Sequence, residues 1–82
     1  MMKEKIARIL SAVLEKPVAA DQLHDNADLI REFGFNSLDM IQFILQAEEE
    51  FDIVIEIEDF DIKYFNNLAQ LMEFFERCPL KR

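Results

Sequence analysis

Gly34 is the only glycine in these 82 residues, and the chain also has just two prolines, one cysteine, one histidine and no tryptophan. A lone Cys78 excludes both a disulfide framework and a cysteine metal site. The single histidine, His24, has no obvious orienting partner, and no G-x-S-x-G elbow is present, so nothing points to an activated serine nucleophile. Asp25-Asn26-Ala27-Asp28 and Asp59-Phe60-Asp61 lack the glycine and closing glutamate of a calcium loop, and no metal site is expected. No apolar run reaches the roughly 18 residues that a membrane span requires. Residues 1–16 are too charged for a signal peptide, so a cytoplasmic protein without membrane insertion is the expectation.

Basic residues are scarce in one region only. Residues 1–16 carry a net charge of +2 and residues 77–82 add +3, whereas residues 17–76 hold −13, for a total of −8. Such an acidic body repels nucleic acid and anionic membrane, and it attracts a basic patch on a protein. Acidic residues also serve simply to keep a domain soluble. Half the residues are apolar and eight are Phe, ample for a core and unlike a disordered chain. The length fits one domain spanning 1–82.

Ile6, Ile9, Leu10, Val13 and Leu14 share one stripe, which predicts a helix over 2–16, ended by Pro17. Residues 17–36 lack a sustained period and read as a long loop. Leu23, Leu29, Ile30 and Phe33 are its expected pins, and Asp21 or Asp25 its expected turn caps. A second helix spans about 37–50. Phe51, Ile53, Ile55 and Ile57 alternate like a strand, yet no other segment offers a partner, so this stretch is expected to be an extended linker with its apolar side on the core. A short third helix is expected over 58–64. Asn67 and Gln70 resemble a capping box that opens a last helix over 67–77, with Leu68, Leu71, Met72 and Phe75 on one face and Pro79 beyond its end.

The most informative stretch is Gly34-Phe35-Asn36-Ser37-Leu38-Asp39. Gly34 can adopt left-handed backbone angles, and Ser37 opens a long acidic helix whose orphan N–H groups and positive dipole end favour an anion. Serine at such a position is often only a cap. Here Asn36 can supply the cap, with Asp39 three residues on, which would leave the Ser37 hydroxyl free. Around the helix, Met40, Phe43, Ile44, Ala47 and Phe51 form one apolar arc, while Leu38, Ile41 and Leu45 form a separate stripe flanked by Gln42, Glu48 and Glu49. That second stripe is either covered by another helix or exposed as a docking strip beside Ser37. Glu48-Glu49-Glu50 sits badly against the helix dipole, which prefers cations at that end.

The Ser37 block, followed by Glu48-Glu49-Glu50-Phe51-Asp52, resembles the acyl carrier protein family. The similarity extends through Ala27–Gly34 and on to Leu68–Phe75, essentially the whole chain. It implies an all-α fold, a right-handed four-helix bundle with a long loop between the first two helices and a short third helix. It further implies that a phosphopantetheinyl transferase attaches 4′-phosphopantetheine from coenzyme A to Ser37. The terminal thiol of that arm would then carry an acyl or related group as a thioester, which supplies thiol chemistry to a chain without a useful cysteine. By the same resemblance Leu38, Asp39, Ile41, Leu45, Glu48 and Glu49 match positions of the partner-recognition helix, and Met40, Phe43, Ile44 and Ala47 face the interior.

The implied protein is a non-catalytic, monomeric carrier. Its partners would be acyl-transferring, synthase or ligase enzymes with basic docking patches, in fatty-acid, lipid or specialised-metabolite biosynthesis. An aminoacyl or peptidyl carrier shares the serine block, and an unmodified acidic helical adaptor is the alternative of a different class. The chain also departs from the family pattern. Asn36 stands where Asp is commonest, Gln42 where an acid is frequent and Glu56 where proline is frequent. The third helical region is rich in Phe60, Tyr64 and Phe65. These departures imply a specialised carrier rather than a housekeeping one.

Overall fold

Amphipathic periodicity is what organises the chain. In the computed structural model, which describes residues 2–81, it produces helices α1 (Met2–Leu14), α2 (Leu29–Phe33), α3 (Ser37–Phe51) and α4 (Leu68–Arg77), with single 3-10 turns at Ala20–Gln22, Ile57–Asp59 and Ile62–Asn66. The expected all-α architecture is thus observed. Ile6, Ile9, Leu10 and Val13 bury the inner stripe of α1 against α3, whose Phe43, Ile44 and Ala47 are buried in turn. Removal of these side chains from water is the dominant favourable term for so small a fold.

Helix α1 stops at Leu14, two residues short of the predicted end. Glu15 takes a left-handed φ of 56°, and the Lys16 N–H reaches back to the Ser11 carbonyl at 3.3 Å, so the termination precedes Pro17. The Ser11 hydroxyl accepts the Val18 N–H at 3.0 Å and folds the chain back along the helix.

The connection that follows is pinned as well as long. Leu23 and Leu29 are buried as expected and Ile30 and Phe33 are half-buried, while Ala27 and Phe35, which the pattern did not single out, are buried too. The Leu68 N–H donates to the Ala27 carbonyl at 3.0 Å and the Ala69 N–H to the Asp25 carbonyl at 2.8 Å, so the loop is tied to the start of α4. The loop cap is Asp28, not Asp21 or Asp25. Its carboxylate accepts the Arg31 N–H at 3.0 Å and opens α2, and the Glu32 carboxylate accepts the Asp28 N–H at 3.2 Å in return. Asp25 instead pairs with Lys3 at 2.7 Å.

Two further expectations need correction. The stretch after α3 does have a partner: Ile53 bridges antiparallel to Leu80, the Val54 N–H donates to the Pro79 carbonyl at 2.9 Å and the Lys81 N–H to the Asp52 carbonyl at 3.0 Å. The residues beyond α4 return to cover this segment, a long-range pairing that alternation alone does not reveal. Ile53 and Ile55 are buried, but Ile57 is exposed because it already begins the next turn. The predicted helix over 58–64 is two 3-10 turns separated by an extended Phe60, the second opened by Asp61, whose carboxylate accepts the Lys63 N–H at 2.9 Å. Local Asx capping restarts the chain there and prevents one continuous helix.

Helix α4 begins where predicted. Asn67 caps it by accepting the Gln70 N–H at 3.1 Å, and Leu68, Leu71, Phe74 and Phe75 are buried.

Candidate functional site

The approach to Ser37 is set by three consecutive backbone decisions. Gly34 ends α2 in the left-handed region, φ 67° and ψ 38°, and its N–H donates to the Ile30 carbonyl at 2.9 Å. A Cβ here would meet no atom within 4 Å, so glycine is favoured by its backbone angles and not by lack of room. Phe35 then turns inward and is buried. Asn36 comes out again in an extended conformation and caps α3, where its Oδ1 accepts the Asp39 N–H at 2.8 Å and Asp39 Oδ2 accepts the Asn36 N–H at 3.2 Å.

This reciprocal cap decides the state of Ser37. The residue is exposed at the first position of α3, and its hydroxyl makes no hydrogen bond among the described residues. The first intrahelical bond runs from Met40 N–H to the Asn36 carbonyl at 3.1 Å, so the Ser37 and Leu38 N–H groups face solvent. An anion attached to Ser37 would meet those donors and the positive end of a 15-residue helix. No acid or base is hydrogen-bonded to the hydroxyl among the described residues. His24 is exposed in the loop, on the far side of α2 in the chain.

The two apolar stripes of α3 separate cleanly. Phe43 and Ala47 are 0% exposed, whereas Leu38, Ile41 and Leu45 are 60%, 56% and 58% exposed. Among the described residues no helix covers the second stripe. The acidic residues behave less uniformly. Asp39 is consumed by the cap. Glu48 Oε2 accepts the Ile55 N–H at 2.8 Å and holds the linker against the helix end. Glu50 pairs with Arg8 at 2.8 Å. Glu49 pairs with Lys81 at 3.2 Å while its side chain stays 83% exposed, so it is the most accessible of the three.

Titration adds two details. The Arg31 N–H, with help from Asn66, holds the Asp28 carboxyl below the usual range, so the α2 cap is ionised at neutral pH. Burial pushes the Cys78 thiol up, and its Sγ donates to the Phe74 carbonyl at 3.3 Å, which makes it a poor thiolate source. No three His, Cys, Asp or Glu side chains among the described residues are grouped to hold a metal ion, and no helix is long and apolar enough to cross a membrane.

The asparagine cap lies where the sequence pattern put it, and the stripe that the pattern left as either covered or docking is exposed. The pattern missed α2, although Asp28 before and Gly34 after Leu29–Phe33 are the start and stop signals of a short helix.

With this geometry in view, comparison with known proteins is direct. The family described as "Phosphopantetheine attachment site" matches residues 4–75. The acyl carrier protein of Buchnera aphidicola subsp. Acyrthosiphon pisum (strain Tuc7) is 32% identical over 82 residues, covering 99% of this chain and 100% of the relative. That of Cyanophora paradoxa is 31% identical over 74 residues, 88% of this chain and 70% of the relative. That of Syntrophus aciditrophicus (strain SB) is 29% identical over 75 residues, 92% and 89% respectively. A helical fold that leaves one unbonded serine hydroxyl at a dipole-positive helix start, in a chain matched along nearly its full length, identifies it: the chain belongs to the acyl carrier protein family, whose members bear a 4′-phosphopantetheine group.

Proposed function

We propose that Ser37 is the residue that carries the 4′-phosphopantetheine arm, and that the protein itself is a non-catalytic carrier that presents the acyl group on that arm to partner enzymes. The observation that supports this is the free hydroxyl: because Asn36 and Asp39 complete the cap between themselves, Ser37 is not needed to start α3. When bound, the arm supplies the thiol on which an acyl group rides as a thioester. The protein's contribution is positional. The exposed first turn offers two N–H donors and a favourable dipole to the phosphodiester, and the rigid helix fixes where the arm is rooted. A hydroxyl without a base beside it does not ionise unaided, so the proton must be taken by the transferase and not by this chain.

Docking follows from the same helix. Leu38, Ile41 and Leu45 form an exposed apolar strip next to the attachment residue, and Glu49 adds an accessible negative charge at its far end. Such a surface suits brief contacts with a basic patch on acyl-transferring, synthase or ligase enzymes, in which charge steers the encounter and a small apolar strip gives the grip. Asp39 and Glu48, which the resemblance also assigns to recognition, each commit one carboxylate oxygen to a bond inside the fold and would meet a partner through the other. The compared relatives are all named acyl carrier protein, which favours an acyl cargo over an aminoacyl or peptidyl one.

The test is intact mass after incubation with coenzyme A and a phosphopantetheinyl transferase. Wild type is expected to gain the mass of one phosphopantetheine and Ser37→Ala none, with both proteins folded to the same extent. Modification of the alanine variant would remove Ser37 from its proposed role.

A further inference from the structure

An acyl chain tethered at Ser37 has two places to go: into the apolar interior, or along the surface in water. Burial is favoured per methylene, so a long chain enters wherever there is room. Room is what this interior lacks. Phe35, two residues before Ser37, forms a triangle with Phe43 of α3 and Phe65 of the second 3-10 turn, with ring centroids 5.8, 5.5 and 5.4 Å apart. Phe43 and Phe65 are fully buried. Phe75 of α4 stacks on Phe43 at 6.2 Å, and Phe60 stands edge-on to both Phe65 at 5.3 Å and Phe74 at 5.5 Å.

These six rings join the loop before α3, α3 itself, the 3-10 turns and α4 into one aromatic body. Hollows open on the surface beside Arg77 and Cys78, along α1 at Ala7 and Ser11, and between Val13 and Leu45. Phe74 borders the first of these, but none of the three is lined by Phe35, Phe43, Phe65 or Phe75. Aliphatic side chains swing aside by rotamer changes, but stacked and edge-on rings are rigid plates that a chain could pass only by breaking several favourable ring contacts at once.

We propose that the Phe35/Phe43/Phe65 triangle, backed by Phe75, closes the interior of this carrier to its cargo, so that the carried group stays on the surface. A surface-held group loses least when it is short or polar, and that is the acyl class the structure assigns. This inference rests on the proposed attachment at Ser37.

The test is a ladder of thioesters, acetyl, hexanoyl and decanoyl, loaded on the holo protein and followed by thermal unfolding and by amide chemical shifts. Intact mass reports whether loading at Ser37 occurred, independently of where the chain lies. If transferases leave the protein unmodified, a ladder of alkyl disulfides of matching length is built with alkyl methanethiosulfonates on a Ser37→Cys, Cys78→Ala chain, each releasing methanesulfinate, so the interior is read in either case. The unfolding midpoint is expected to stay within about 2 °C across the ladder, whereas sheltering even two methylenes would raise it by roughly 6–12 °C. The amides of Phe43, Phe65 and Phe75 are expected not to shift with chain length. Phe43→Leu and Phe75→Leu, which leave smaller voids than alanine, are expected to acquire a length-dependent rise. A midpoint that climbs with chain length in wild type, or ring-residue amides that move with it, would overturn the proposal. A flat response in the leucine variants would overturn the assignment of closure to these rings.

Discussion

At the N-terminal end of α3, Ser37 and Leu38 face solvent and the serine hydroxyl has no partner; at the C-terminal end, each of three successive glutamates is engaged by another part of the fold. Both ends began with the same problem, unsatisfied polar groups and a dipole charge. The first end is solved locally, by Asn36 and Asp39 three residues apart, and the solution releases its neighbour. At the second end the Asp52 and Ile53 N–H groups close back on the Glu48 carbonyl, while the acidic side chains are engaged from outside the helix by Arg8, Lys81 and the Ile55 N–H. A helix dipole disfavours Glu48, Glu49 and Glu50 there, yet two cations and one N–H from elsewhere offset that cost. One end is left available for an external group; at the other, Glu48 and Glu50 are tied into the fold and Glu49 stays exposed.

The sharpest way to break this contrast is Glu48→Ala. It strands the Ile55 N–H against the buried linker, and the loss of a hydrogen bond to a charged acceptor should lower stability by about 1.5–2 kcal/mol in urea unfolding. Glu48→Gln, which keeps an acceptor, should recover part of that. If Glu48→Ala leaves the midpoint unchanged, the carboxylate is not an anchor and returns to the set of docking acids.

Next comes Asn36→Ala. Loss of the cap should cost about 1 kcal/mol, while transferase modification of Ser37 persists. Loss of modification without loss of stability would mean that Asn36 serves the transferase and not the helix.

Glu49→Lys tests the accessible acid. Its pairing with Lys81 is exposed, so stability should move by no more than about 0.5 kcal/mol. Binding to a partner enzyme with a basic patch should weaken, and the weakening should shrink as salt is raised. Equal binding by wild type and variant at low salt would take Glu49 off the docking surface.

The last effect is a position on the pH axis. Because its folded pKa is depressed, the Asp28 cap contributes fully above the ordinary carboxylate range and is lost as pH falls through the lowered value. The Arg31 amide resonance should therefore move at a lower pH than a free aspartate titrates. Movement centred in the ordinary carboxylate range would show that Asp28 is not held by that bond.

What the sequence made legible was whatever repeats or caps locally. The inner stripes of α1, α3 and α4 are written in side chains three and four apart, and Asn36 and Asn67 mark their own helix starts. Five residues are too few to display a period, so α2 shows only in its flanking Asp28 and Gly34. The bridge from Ile53 to Leu80 and the bond from Glu48 to Ile55 depend on where the chain returns in space, which no local pattern encodes. Glu48 is the instructive residue: its place on the helix wheel next to Glu49 predicts the same use for both, and the fold gives them different ones.

Intact mass of wild type and Ser37→Ala after exposure to coenzyme A and a phosphopantetheinyl transferase probes the free hydroxyl most directly. One added arm on wild type and none on the variant is the predicted result. A wild type that several competent transferases leave unmodified, or an arm found on any other residue, would contradict it.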